Sequence, residues 1–225
     1  MKHLIIGAGE IGQSLKHVFK NADIHDVKPL PKKNYDILHI SFPYSKNFEA
    51  QVKNYQKRYD ADYTVIHSTV PLGTSRKLNA CHSPVTGKHP DLTESLYTFK
   101  KPLAGHGSDV IREEFIKHGV APLMYNEPEE CEASKLWELN IYGINILLQK
   151  DIAKYCEKHN LDFDNVYTKM VEKYNMGYSQ MGLDHYKMFK LKNMKGKLGG
   201  HCVVQNAKNL KHFWGWLLIL KNKLL

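Results

Sequence analysis

The sequence predicts an α/β fold, a doubly wound parallel sheet followed by a smaller all-helical domain. Three observations predict it. Short apolar runs alternate with helical stretches through the first half of the chain. A glycine-rich turn joins the first apolar run to the first helix. Near Asn126 the strand pattern stops, and long helical periodicity takes over. The 225 residues divide accordingly into a domain over 1–126 and a second over 127–225.

The first element is the apolar strand 4–6, Leu-Ile-Ile. It runs at once into GAGEIG at 7–12, and 13–20 reads as a helix. This is a Gly-x-Gly-x-x-Gly turn with a strand before it and a helix after it, the setting of a Rossmann-like phosphate loop. Gly7 permits the tight turn. Gly9 has no side chain to hold a diphosphate away from the backbone, and Gly12 lets helix and strand pack closely. The amides of Glu10 and Ile11 open the helix, whose positive end favours phosphate. The expected ligand is therefore a dinucleotide. A second strand over 22–27 contains Asp26, about twenty residues beyond the first glycine, where a carboxylate accepts both ribose hydroxyls. An acid there repels a 2′-phosphate, so NAD is expected rather than NADP.

Further strands follow at 36–43, 63–68, 79–84 and 101–104, with helices at 47–59 and 74–78 and a loop over 85–100. Ligands on such sheets lie at the carboxyl ends of the strands. Phe42, Pro43, Ser68 and Thr69 therefore complete the expected coenzyme site. Glu127-Pro128-Glu129-Glu130 is an acidic helix start, and one long helix runs from 132 to about 158. In it Ala133, Leu136, Asn140, Gly143, Leu147 and Ile152 recur at near-helical spacing. Helices over 164–174 and 213–225 close the chain. The long helix is the expected seam of a homodimer. The last, with Trp214 and Trp216, reads as a docked helix or subunit contact, and more weakly as a membrane-surface helix.

Composition narrows the partners. The net charge is +9, from 32 basic and 23 acidic residues. The lysines are dispersed and no nucleic-acid-binding motif is present, so the charge reads as solvated surface first and phosphate recognition second. No apolar run reaches the ~20 residues of a membrane span, and Met1 leads straight into the first strand. Cys81, Cys131, Cys156 and Cys202 form no C-x-x-C pair, which predicts free thiols and a reducing cytoplasm. His67, His82, His89, His106 and His201 lack metal-ligand spacing, so no metal is expected.

Four segments, in order, carry a resemblance. They are GAGEIG at 7–12, STVPLGT at 68–74, EASKLWE at 132–138 and KLGGHCVVQNAKNL at 197–210. Together they resemble the UDP-glucose/GDP-mannose dehydrogenase family of the 6-phosphogluconate dehydrogenase-like group. The resemblance covers nearly the whole chain, in a shortened form without the C-terminal domain that grips the sugar nucleotide. It implies oxidation of a sugar alcohol by hydride transfer to NAD, with a cysteine thiolate capturing the aldehyde. Carried over, Cys202 matches the nucleophile, and Lys135 matches the lysine that binds substrate and steadies an oxyanion. Thr69 matches the threonine beside nicotinamide and water, while Gly199, Gly200 and His201 match the substrate-side segment. From the residues alone, Cys202 also reads as an inert thiol, Lys135 as a solvated helix lysine and Thr69 as a turn cap.

Three positions depart from the family pattern. Asn206 replaces the Asp four residues after the nucleophile, Leu139 replaces an Asn after the lysine, and Val85 replaces the Glu of Ser-Pro-Glu. An amide cannot act as a base, so the hydrolytic half-reaction is the part these changes bear on. The sequence therefore predicts an NAD-dependent oxidoreductase acting on a sugar, sugar phosphate or nucleotide sugar. A protein that binds NAD or sugar nucleotides as a sensor or subunit in polysaccharide synthesis is the second reading.

Overall fold

The computed structural model describes residues 1–26, 31, 33–87, 89–90, 92–193, 196, 198 and 201–224. Two compact units emerge, Met1–Leu136 and Trp137–Leu225.

The first unit is built on a seven-stranded sheet. Its strands are β1 His3–Ile6, β2 Asp23–His25, β3 Ile37–Ile40, β4 Tyr63–Ile66, β5 Cys81–His82, β6 Lys101–Gly105 and β7 Pro122–Met124. The spatial order is β2-β1-β3-β4-β5-β6-β7. The direction of winding reverses between β1 and β3, the switch point where such sheets bind ligands. Alternation along the strands feeds two cores. Ile5 joins Leu15, Phe19, Leu103 and Phe115 on one face, while Leu4 and Ile6 join Leu38, Ile40, Phe48 and Tyr59 on the other.

The helices of this unit are α1 Glu10–Val18, α2 Phe48–Tyr59, α3 Thr74–Lys77, α4 Leu92–Thr98, α5 Ser108–Lys117 and the start of α6 Pro128–Lys158. The strands are shorter than the apolar runs that predict them. Residues 41–43 and 67–69 leave the hydrogen-bonded ladder and become loops at its carboxyl edge. Val27, the end of the second predicted strand, lies outside the described residues.

The sheet corrects the all-parallel expectation, because β5 and β6 pair antiparallel, Cys81 opposite Gly105 and His82 opposite Ala104. The connection does not cross the sheet and come back. It folds α4 against α1, so the chain enters β6 from the edge at which it left β5. The expected loop over 85–100 is corrected with it. Leu92, Ser95 and Leu96 are buried at helical spacing in α4. Helix α5 and strand β7 occupy a stretch for which no element is predicted; α5 buries Ile111 and Phe115 one turn apart.

The second unit is helical. It holds the rest of α6, a π-helical turn Asp164–Thr168, α7 Lys169–Gln180, a 3-10 turn Asp184–Tyr186, α8 His201–Leu210 and α9 Phe213–Leu224. Leu147, Leu198, Val203, Ala207 and Leu218 form its core. The packing is close: a Cβ on Gly143 would lie 2.5 Å from Leu218 Cδ1, and one on Gly215 would lie 2.4 Å from the Ala207 carbonyl. His201 and Cys202 open helix α8. Val203 and Ala207, four residues apart, supply the buried stripe that makes this segment helical. Neighbouring side chains there diverge by about 100° rather than 180°. Leu225 lies outside the described residues.

Gly12 is buried in α1, and a Cβ there would stand 1.8 Å from the Gly7 carbonyl oxygen. Backbone cannot yield by that much without parting α1 from β1. Gly12→Ala is expected to lower the thermal unfolding midpoint by ~10 °C or to prevent folding, as followed by circular dichroism.

Candidate functional site

The site is built at the carboxyl edge of the first unit. Gly7 follows β1 with φ +102°, a conformation glycine adopts without strain. Its amide donates to the His25 carbonyl at 2.8 Å. The Ser41 hydroxyl lies 2.8 Å from the Ile6 carbonyl and 2.9 Å from that of Gly7, and so holds the turn from the β3 side. Gly9 caps α1 without a side-chain hydrogen bond, and a Cβ on it would meet nothing within 4 Å. The first-turn amides of α1 have no intrahelical acceptor. Open space above a helix start, with donors aimed into it, is what a diphosphate requires. Glu10 and Ile11, half-buried, begin the helix. Asp26 is exposed just beyond β2, the neighbour of β1.

Phe42 is half-buried and Pro43 exposed beyond β3; Ser68 is buried and Thr69 half-buried beyond β4. The Ser68 hydroxyl donates to the Phe42 carbonyl at 2.5 Å and ties the two loop starts together. The following turn is anchored by Glu132 on α6. Its carboxylate accepts from the Gly73 amide at 2.5 Å and the Ser75 amide at 2.7 Å. Burial raises the Glu132 pKa even though both amides favour its charged form.

One helical turn on, Lys135 is 6% exposed, so the solvated-lysine reading does not hold. Its ammonium donates to the Thr86 hydroxyl at 3.3 Å. Thr86 follows a segment held at the carbonyls of His82, Ser83 and Pro84. The Cys131 thiol lies 3.6 Å from the His82 carbonyl, and the Lys101 ammonium donates to the carbonyls of Ser83 and, at 2.7 Å, Pro84. Strand β5 ends at His82, so the Ser83 and Pro84 carbonyls lie beyond the ladder and take donors from side chains. Lys101 is only 3% exposed, and burial pushes its amine down to about 7.

A chain of histidines reaches the same carbonyl. His67 Nδ1 lies 3.0 Å from the Ser83 oxygen, His39 Nδ1 lies 2.9 Å from His67 Nε2, and His3 Nδ1 lies 3.0 Å from His39 Nε2. A carbonyl only accepts, so His67 carries its proton on Nδ1 and offers Nε2 as acceptor. The same step fixes the protons of His39 and His3 on Nδ1. The last Nε2 faces Glu114 at 3.1 Å, where carboxylate and imidazole share one proton. Burial holds His39 and His67 well below the usual imidazole range. His82 donates from Nε2 to the Ser68 carbonyl at 3.2 Å; burial brings it down to about 3.

In the second unit Cys202 is half-buried, whereas Cys81, Cys131 and Cys156 are buried. Burial pushes the Cys131 thiol up to about 12. Gly199 and Gly200 lie outside the described residues, as does the side chain of His201. Among the described residues no group of three or more His, Cys, Asp or Glu is placed to hold a metal. Nor, among the described residues, is any helix long and apolar enough to cross a membrane. A separate polar cavity of about 340 Å³, lined by Arg76, Asn79, His106 and Glu127 among others, opens at the opposite edge of the sheet.

No protein-family model matches the chain, and no curated protein matches it in sequence. Solved structures do match. UDP-D-ManNAc dehydrogenase from Pyrococcus horikoshii aligns with a TM-score of 0.79 at 14% identity, covering 99% of this chain and 68% of that one. UDP-glucose dehydrogenase from Pyrobaculum islandicum aligns at 0.73 and 12% identity, with the same 99% and 68% coverage. The chain has the fold of the UDP-sugar dehydrogenases. The fold is also shared with Mycobacterium tuberculosis 3-hydroxyisobutyrate dehydrogenase, at a TM-score of 0.70 and 10% identity over 99% of this chain and 93% of that one.

On this dehydrogenase fold, the turn at 7–12 and the loops at 41–43 and 67–69 converge as the motifs predict. Lys101, Glu132 and Thr86 are the site residues that sequence reasoning misses. A lysine opening a strand and an acid opening a helix read as surface charges until the return of β6 and the start of α6 bury them.

The buried histidines set a pH dependence. In the unfolded chain they take up protons near pH 6.5, and in the folded state they do not. The unfolded state thus binds more protons below that pH, and stability is lost as pH falls from about 6.5 toward 3. The unfolding midpoint at pH 5 is expected ~10 °C below that at pH 7.5, read by scanning fluorimetry. Lys101 extends the rise between about pH 7 and 10.5, and Lys101→Met is expected to flatten that upper limb.

Proposed function

We propose that this chain is an NAD-dependent oxidoreductase acting on a CH–OH group of a sugar, sugar phosphate or nucleotide sugar. The observation that carries the proposal is the phosphate turn, with open space above Gly9 at the switch point of a dehydrogenase fold. Gly7, Gly9, Glu10, Ile11 and Gly12 would hold the diphosphate, and Asp26 the adenosine ribose. Phe42, Pro43, Ser68 and Thr69 would line the nicotinamide end. The exposed carboxylate of Asp26 supports NAD over NADP by charge repulsion of a 2′-phosphate.

A bound nicotinamide supplies the hydride acceptor. The chain's own residues handle protons and the oxyanion. Lys135 sits on a buried helix face with its ammonium at Thr86, a cation that would steady the negative charge developing on the substrate oxygen. Thr69 orders the nicotinamide side. The Cys202 thiolate would add to the aldehyde carbon to give a thiohemiacetal; loss of a second hydride to a second nicotinamide would make this a thioester, which water must then hydrolyse to free the thiol and release the carboxylate. Gly199, Gly200 and His201 would contact the substrate.

A two-electron reaction without the thioester is the second reading, and Asn206 and Val85 favour it because neither can act as a base. A sensor or assembly subunit that binds without turnover follows from the same losses. Exposed Ile141, Tyr142, Leu148 and Tyr155 on α6 support a homodimer through that helix. The functional division would fall at 126/127. Four free thiols fit a reducing cytoplasm.

Two measurements test this. Gly9→Val is expected to weaken NADH binding at least ~10-fold, by fluorescence titration, with little change in unfolding midpoint, because its side chain would fill only the open space. In NADH-production assays against a panel of sugar phosphates and nucleotide sugars, Lys135→Ala is expected to cost ~100-fold or more. Cys202→Ser separates the chemistries: full turnover by that variant rules out the covalent route.

A further inference from the structure

We propose that His89 is a coenzyme-affinity residue, neutralising a carboxylate that Glu10 places beside the diphosphate. The inference rests on the dinucleotide reading and adds a residue no motif assigns. Glu10 is the first residue of α1, immediately after the Gly9 cap. An acid in a first helical turn is favourable for the helix alone. Here it competes with the ligand, since the same helix end must receive two phosphate charges. One of its oxygens, Oε1, is buried without a hydrogen-bond partner, while the side chain as a whole is 34% exposed, so its field reaches the ligand through partly screened solvent.

His89 Nδ1 reaches Glu10 Oε2 at 2.6 Å, across 79 residues of sequence. Its location is set by packing. Leu96 of α4 shares the core cluster of Leu15 of α1, and α4 rests on α1. Gly87 is pressed onto α4 so closely that a Cβ would lie 2.4 Å from Ser95 Cβ. Gly87 thereby fixes where this segment packs on α4, and His89 meets the Glu10 carboxylate at the start of α1. A protonated ring cancels the carboxylate's repulsion of the diphosphate, while leaving the first-turn amides to bind it. Remove the ring, and a like charge confronts the ligand at the mouth of the crevice.

The experiment measures NADH affinity of the full chain by fluorescence titration at pH 6, in low and high salt, with midpoints checked by circular dichroism. Wild type is compared with His89→Ala, His89→Gln, Glu10→Gln and the double variant His89→Ala/Glu10→Gln. Both His89 variants are expected to weaken NADH about 5- to 10-fold in low salt and less in high salt. Glu10→Gln alone is expected to bind NADH at least as tightly as wild type, since it removes the carboxylate that repels the phosphates. The double variant is expected to return to within ~2-fold of wild type. A merely structural tie predicts otherwise, since the double variant lacks it too and would bind as weakly as His89→Ala. That result, or His89 variants within ~2-fold of wild type, overturns the proposal. Should Ala loosen the loop, the Gln variant carries the comparison. No NADH binding by wild type overturns the coenzyme reading and this proposal together, a distinct outcome because every variant is then silent.

Discussion

The contact on which the coenzyme end of this chain depends is the approach of α1 to the backbone of its own preceding turn. With 1.8 Å between an imagined Gly12 Cβ and the Gly7 oxygen, no side chain is compatible with the geometry. That approach brings the helix start down onto the tip of β1 and aims its unpaired amides over the edge of the sheet. Ser41 braces the arrangement from β3. The crevice is therefore made by an absence of atoms at Gly9 and Gly12 rather than by the presence of a special side chain.

A second constraint shapes the substrate side. Strand β5 is short and is followed by an antiparallel return, so the segment after it leaves the ladder inside the protein. Buried carbonyls beyond the end of a strand are costly to leave unpaired, and the chain meets the need with Lys101 and His67. The cost is a buried amine with a depressed pKa and a run of imidazoles kept neutral by burial. The return is a fixed turn that presents Thr86 to Lys135. The protons along the histidine chain follow from a single fact, that the Ser83 carbonyl cannot donate.

The helical unit has a smaller core and relies on close backbone approach. Gly143 and Gly215 let α6, α8 and α9 meet at distances that any larger residue would prevent. Helix α8 carries Cys202 at its opening turn, with Val203 and Ala207 inward. This placement leaves the thiol half-buried, unlike the other three cysteines.

Local chemistry made much of this legible in advance. The glycine turn, the strands β1, β3 and β4, Asp26 beyond β2 and the long helix α6 are each written in short-range patterns: glycine spacing, apolar runs and helical periodicity. The sequence by itself thus determined the α/β class and the position of the phosphate turn. Only the tertiary structure decided the antiparallel return of β6, the stacking of α4 on α1 and the burial of Lys101 and Lys135. It also decided the helical setting of Cys202 and the meeting of His3 on β1, His39 on β3 and His67 just beyond β4. The physical reason is that burial and pairing belong to neighbours distant in the chain. A lysine or histidine reads the same at the surface or in the core until the sheet closes around it, and desolvation then sets its charge.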